Sequence, residues 1–499
     1  MRGLQAPTRQ DARFSLQSER LGPLPLVNAF LQRMGLEALL EQYVPTSDRR
    51  NAVSHAQALG VLLRSIIVER EPIYRQQETV CGFAPGLFGL GAQAMQRLTD
   101  DRIGRALDRL FDADRGGLLT QVVVTVGQRF GVAFERLHND STSISFCGQY
   151  RTASGRELRG RSAPAIVLGF SKDHRPDLNQ MVVGAVLDSR GRPLCCEMWP
   201  GNTTDVKTLL PVAERIRKRF QVGRFCLVAD RGMISKETLQ ALDDPQTGLP
   251  YILGVRMRKV KEVREEVLSR AGAYREVHPE GTSTKEPSPL KVKEAAVNGR
   301  RYIICLNPRQ ARKDQADREA ILASLEEQLK KGAKALVGNR GFRRYLKSER
   351  DAFVIDYDKA KQEARFDGKW VITTNTRLSA EQVALKYKEL WQVEQLFRDT
   401  KSLLETRPVF HQRNDTIRGH VFCSFLALVL KKELFRRMEA SGQRFEWSEI
   451  KQDLKSLQEI TLEEDGKRLA IRTQCQGTCG KVFQAVGVAI PPTIRHLAG

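Results

Sequence analysis

The chain has 499 residues, 41% hydrophobic and 28% charged, a composition that excludes a largely disordered protein or a small disulfide-stapled scaffold. At roughly 100 to 200 residues per domain, this length predicts about three units with room for real cores. Its 81 lysines and arginines against 59 aspartates and glutamates leave a net charge of +22. That excess predicts attraction to polyanions, nucleic acid being the usual one, while a merely soluble basic surface is the plainer reading.

Residues 1–20 read as a polar tail. The opening MRGLQAPTRQDARF holds no apolar core of signal-peptide length, which places the chain in the cytosol. From 21 to 132, LVNAFLQRMGLEALLEQY, AVSHAQALGVLLRSIIVER and TDDRIGRALDRLF carry apolar residues three and four apart. This predicts an all-helical N-terminal domain for DNA binding or dimerisation, with Thr99 before Asp100 and Asp101 as one helix start.

The pattern then changes to short runs rich in branched residues. LHNDSTSISF (137–146), QMVVGAVLD (180–188), PLCCEMW (193–199) and RFCLVAD (224–230) read as four strands, with a helix in TDVKTLLPVAERIRKRF before the last. Three strands, a helix and a strand make an α/β layer over 133–254. The segment 255–366 is more highly charged and reads as a β-containing insertion. In it, Asn298-Gly299 marks a hairpin and Gly332 stops a helix through DREAILASLEEQLKK. Asp367-Gly368 is a second hairpin signal and leads into the strand KWVITTN, returning the chain to the α/β style over 367–437.

The apolar run Val421–Leu430 is too short for a bilayer, which needs about 20 residues, and reads as buried helix; no membrane is expected. Residues 438–499 form a less regular, charged C-terminal region. The nine cysteines read as reduced thiols; the close pair Cys475 and Cys479 lacks the second pair that a zinc site needs.

Three carboxylates stand out. Asp230 ends an apolar strand, where α/β sheets bind ligands; the alternative is a turn or capping role, for which Ser235 is the better candidate. Asp140 sits inside an alternating strand, on one face with Thr142 and Ile144, either as a site residue or on an exposed polar face. Glu394 lies in YKELWQVEQLFRDTK, read as one amphipathic helix from Tyr387 to Lys401. Sevenfold spacing aligns Tyr387, Glu394 and Lys401 beside Leu390, Trp391, Leu396 and Phe397. A carboxylate in an apolar stripe needs a partner, which could be Arg398 four residues on, or Lys401. Taken together, Asp140, Asp230 and Glu394 offer hard oxygen ligands suited to Mg²⁺ or Mn²⁺.

The segments LHNDSTSISF, LVADRGM and YKELWQVEQLFRDTK resemble the three catalytic blocks of DDE insertion-sequence transposases with the Tyr-Arg-Glu-Lys signature. Tyr387, Glu394 and Lys401 match that spacing, whereas Leu390 stands where the group has Arg. GFSKDHRPDLNQ, WPGNTTD, DGKWVITTN and RPVFHQR are also similar to one branch, extending the resemblance over roughly 135 to 430. It implies an RNase H-like mixed sheet flanked by helices, interrupted by the 255–366 insertion. It also implies two metal ions held by Asp140, Asp230 and Glu394, with DNA contacts from Tyr387, Arg398 and Lys401. The expected activity is cleavage at the element's terminal inverted repeats and joining of 3′-hydroxyl ends to target DNA, by a homodimer assembled on DNA in a bacterial nucleoid. A nuclease without joining activity and a catalytically inactive DNA-binding derivative are the rival readings.

Overall fold

The strand-like runs form close to where their residue types predict, at Arg136–Phe146, Asn179–Asp188, Pro193–Pro200 and Cys226–Ala229. The computed structural model describes residues 14–48, 50–69, 71–146, 155, 157–172, 174–246, 248–278, 290–331, 343–349, 352–404, 413–464 and 467–497. The chain divides into two compact units: Met1–Ala133 with Ser141–Thr203 and Val393–Gly499, and Phe134–Asp140 with Thr204–Gln392. Both mix helices and strands, and among the described residues no helix is long and apolar enough to cross a membrane.

The second unit is built on a mixed sheet. Starting from the beginning of the Arg136–Phe146 strand, the order is Cys226–Ala229, Tyr251–Val255, Lys369–Thr374, Arg300–Leu306, Lys291–Val297 and Arg275–Glu276. The first three run parallel and each later neighbour antiparallel. Asn298 and Gly299 take positive φ of 49° and 73°, the left-handed pair that a two-residue hairpin requires. This hairpin, from the segment read as an insertion, joins the main sheet through six residue pairs with Lys369–Thr374. Val297, Tyr302, Ile304 and Val371 pack with Val263 and Val267 beneath it. The rest of that segment gives the helix Pro308–Lys330, the hairpin Leu346–Glu349 with Ala352–Ile355, and the helix Tyr357–Ala364, around Leu325, Tyr345 and Ala360. Asp367-Gly368 turns a helix into a strand and does not close a hairpin. Arg318 holds the Asp367 carboxylate with two bonds of 2.6 Å, and Gly368 takes φ 63°. The predicted stop at Gly332 lies outside the described residues.

The first unit centres on the helix Asn414–Ala440, buried nearly all round over Asn414–Lys431. A helix apolar on every side must be covered on every side. The Asp100–Asp112 and His55–Val68 helices pack on it, and at Gly419 any side chain would strike the Leu107 carbonyl, 2.2 Å from its Cβ position. The helices expected over 21–132 form here, with Leu24–Arg33 and Leu36–Tyr43 separated by the left-handed Gly35. Thr99 caps its helix as expected. They share a unit with residues 393–499. Part of the expected tail is a strand, Phe14–Arg20, paired antiparallel with Gln458–Glu464. The C-terminal region is likewise ordered into a sheet with Lys467–Arg472 and Ile494–Leu497. Each strand is short and polar, so local propensity is weak; for Phe14–Arg20, pairing with residues more than 400 positions away supplies what it lacks.

His55, at the start of its helix, is buried with Nδ1 unpaired. Burial, reinforced by Arg102 and Arg109, pulls its pKa from 6.5 to about 4. The folded form therefore holds it neutral, and the unfolded chain binds the extra proton between those values. Stability of this unit should be full above pH 6.5 and fall toward pH 4, by up to ~3 kcal/mol from this group. Denaturant unfolding at pH 7.5 and 5 should show the loss, and His55→Gln should flatten it.

Candidate functional site

The register of the parallel strands fixes the centre of the site. Arg136 to Asn139 lie opposite Cys226 to Ala229, and Leu227 to Ala229 opposite Tyr251 to Leu253. One step further brings Asp140, Asp230 and Gly254 into a row, with strands spaced about 4.8 Å apart. Asp230 follows the last residue of its strand and keeps an extended backbone, φ −75° and ψ 163°. Aligned positions on parallel strands face the same side. His138, two residues before Asp140, identifies that side as the one covered by the helix Ala380–Lys388. Its buried ring places Nε2 3.3 Å from the Lys386 carbonyl and 3.3 Å from a Glu389 oxygen.

Tyr387, near the end of that helix, donates its hydroxyl to Asp230 Oδ1 at 2.8 Å. Burial, then the charge and hydrogen bond of Asp230, raise the phenol well above its ordinary pKa, so it stays a donor. The glycine of YILGV makes this approach possible: a Cβ on Gly254 would lie 2.1 Å from the Tyr387 hydroxyl oxygen. The loop after Asp230 is held by Arg256, which donates to the carbonyls of Arg231 and Gly232, both at 3.1 Å. Ser235 caps the next helix through the Thr238 amide, so Asp230 is not its cap.

The Tyr387–Lys401 stretch is not one helix. Ala380–Lys388 ends in a turn at Glu389 and Leu390, and Trp391–Leu404 begins after it. The Leu390 amide bonds the Tyr387 carbonyl three residues back, which breaks the sevenfold alignment. Glu394 is exposed and Trp391 is 58% exposed, whereas Val393, Leu396 and Phe397 are buried. The carboxylate therefore stands beside an apolar stripe and in the first helical turn, where a negative charge is favoured. Arg398 is exposed and donates to Gln395. Lys401 lies on the helix, but its side chain is outside the described residues. Asp230 and Tyr387 thus meet in the second unit, beside the strand that carries Asp140. Glu394, Arg398 and Lys401 lie on a helix that continues into the first.

Residues 136–430, more than half of the chain, match the family model described as Transposase DDE domain. The chain belongs to the DDE transposase family. In this transposase a second match, to a domain of unknown function, covers residues 16–124. No curated protein matches. Among solved structures the transposase is similar to a piggyBac transposase synaptic complex with hairpin DNA, at 9% identity over 86% of this chain and 79% of that one, with a TM-score of 0.40.

DDE transposase domains generally use divalent metal ions. Among the described residues no group of three or more His, Cys, Asp or Glu gathers as a metal-ligand cluster. The aligned pair Asp140 and Asp230 nonetheless has the donor chemistry of a Mg²⁺ or Mn²⁺ site. Sequence reasoning named Tyr387 as a DNA contact but missed Gly254 and the bond from the Tyr387 hydroxyl to Asp230. A glycine inside an apolar strand is the signal that could have found them, since it often marks a close approach. Gly254→Ala should cost about 1 to 3 kcal/mol by overpacking. Tyr387→Phe in the same chain should recover part of that loss, because the nearest clashing atom is gone; unfolding of the two single variants and the double variant measures the coupling.

Proposed function

We propose that this transposase cleaves the ends of its mobile element and joins the freed 3′-hydroxyls to target DNA, using two divalent ions held by Asp140, Asp230 and Glu394 on an RNase H-like fold. The observation that supports the reading is the parallel register that ends with Asn139 opposite Ala229, one residue before Asp140 and Asp230. Two carboxylates so close repel one another, and a divalent cation compensates them. Glu394 supplies the third oxygen ligand, and the order of the three blocks along the chain supports its inclusion. When bound, such ions activate water or a 3′-hydroxyl and stabilise the leaving oxygen of phosphodiester displacement.

The residues of the chain hold and orient. The Tyr387 hydroxyl fixes one oxygen of Asp230, leaving the other to face its ligand, an outer hydrogen bond of the kind that orients ligating carboxylates. Arg256 fixes the loop behind it. Arg398 and Lys401 meet DNA phosphates, which position the duplex without reading its sequence. Tyr387, expected from the resemblance at the DNA, contributes through Asp230. The boundaries at 132, 254, 366 and 437 belong to the same proposal. The helical segment 21–132 recognises terminal repeats or brings two copies together, and a homodimer holds two element ends.

The test is cleavage of a labelled duplex carrying the element's terminal repeat, with and without Mg²⁺. Wild type should cut at the repeat boundary only with metal and yield joined products with target DNA, while Asp230→Asn and Glu394→Gln should give neither. Near wild-type cutting by Asp230→Asn would refute the assignment, and cutting without joining would make the enzyme a nuclease.

A further inference from the structure

A pocket of about 180 Å³ opens in the N-terminal helical segment of the first unit, lined by Arg97, Arg102 and Arg105 together with Ala52, Thr99 and Asp101. Three arginines and one aspartate line it, and both nearby carboxylates are already paired: Asp101 lies 2.5 Å from Arg105, and Asp48, whose charge reaches Arg102, is held by Arg50. Arg102 is fixed by donation from Nε to the Val53 carbonyl at 2.7 Å. Its Nη2 is buried and has no hydrogen-bond partner, a donor left unpaired at a real cost. Among the described residues the exposed Arg97 side chain makes no ion pair or hydrogen bond. The pocket thus holds fork-shaped cationic donors of which the Arg97 side chain and Arg102 Nη2 lack an acceptor, and it is large enough for more than a single water.

The Asp100–Asp112 helix begins at this pocket, but its first amides are engaged. Thr99 Oγ1 takes the Arg102 amide and Asp100 takes that of Asp101. Side chains must therefore carry the recognition. The local field is positive, since Arg102 is one of the charges that keep the buried His55 neutral. Arginine clusters of this kind suit the paired oxygens of a phosphate.

We propose that this pocket binds a phosphate of the DNA backbone. The assignment rests on the reading of the protein as a DNA transposase, and it gives the domain of unknown function over 16–124 a defined contact. The ligand is a backbone phosphate, whose paired and negatively charged oxygens match unpaired guanidinium donors. Its contribution is accordingly independent of sequence.

The experiment uses the full chain and two fluorescent duplexes of equal length, one carrying the terminal repeat and one scrambled, with affinity measured across a salt series. Arg97→Ala removes a cation that supports nothing else. Ala52→Glu adds a carboxylate at an exposed lining position without removing any contact. Both variants should melt like wild type, bind both duplexes several-fold more weakly, and flatten the plot of log affinity against log salt by about 0.9 for the lost phosphate. An unchanged salt slope in both variants, with wild type binding DNA, would overturn the pocket and leave the transposase reading intact. If calorimetry with inorganic phosphate showed binding lost in Arg97→Ala while the slope stayed unchanged, the pocket would serve free phosphate, overturning the DNA assignment. Binding of neither duplex by wild type would sink both readings together. Loss of metal-dependent cleavage selectivity in Asp230→Asn tests the active site separately.

Discussion

The alignment of three parallel strands is the constraint on which the candidate site depends. Parallel pairing allows only one partner for each residue, and a slip by a single position would turn every side chain to the opposite face. With Asn139 opposite Ala229 and Ala229 opposite Leu253, the next step sets Asp140, Asp230 and Gly254 in a line. The missing side chain at the third position admits the Tyr387 hydroxyl, which reaches across to the second. Two acids and one absent Cβ form a single arrangement, maintained by backbone hydrogen bonds that are indifferent to the chemistry they position.

Around that line the second unit provides rigidity. The hairpin at Asn298-Gly299 widens the sheet through Lys369–Thr374, so a segment whose charge suggests a separate body contributes strands to the one that carries the acids. His138 ties the covering helix to the Asp140 strand, and Arg256 ties down the loop after Asp230. In the first unit the same role falls to the Asn414–Ala440 helix. Its largely buried surface gathers helices from the start of the chain and the Cys479–Val486 helix near its end.

Several features were legible from residues alone. The strands around Asp140 and Asp230 follow from branched residues in short runs, and the hairpin follows from the need for two left-handed residues. Ser235, Thr99 and the buried run Val421–Leu430 behave as their types demand. The Glu394 helix is the instructive difference. Sevenfold spacing assumes an unbroken helix, but the turn at Glu389 and Leu390 rotates one half against the other. Glu394 is therefore exposed, and the supposed cost of a buried carboxylate does not arise. Nothing in YKELWQVEQ forbids either outcome, because these residues all tolerate helical backbone.

The sequence by itself determined the local choices: which runs extend, where helices begin and where two residues must turn left. These are settled by interactions within a few residues of one another. Only the tertiary structure decided that the Asp140 strand pairs with the one leading to Asp230, that Gly254 makes room for Tyr387, and that three arginines from one short stretch line a pocket with a second segment near Ala52. Each of these depends on groups separated by tens to hundreds of residues, and their meeting is fixed by sheet register and helix packing, which no local pattern encodes.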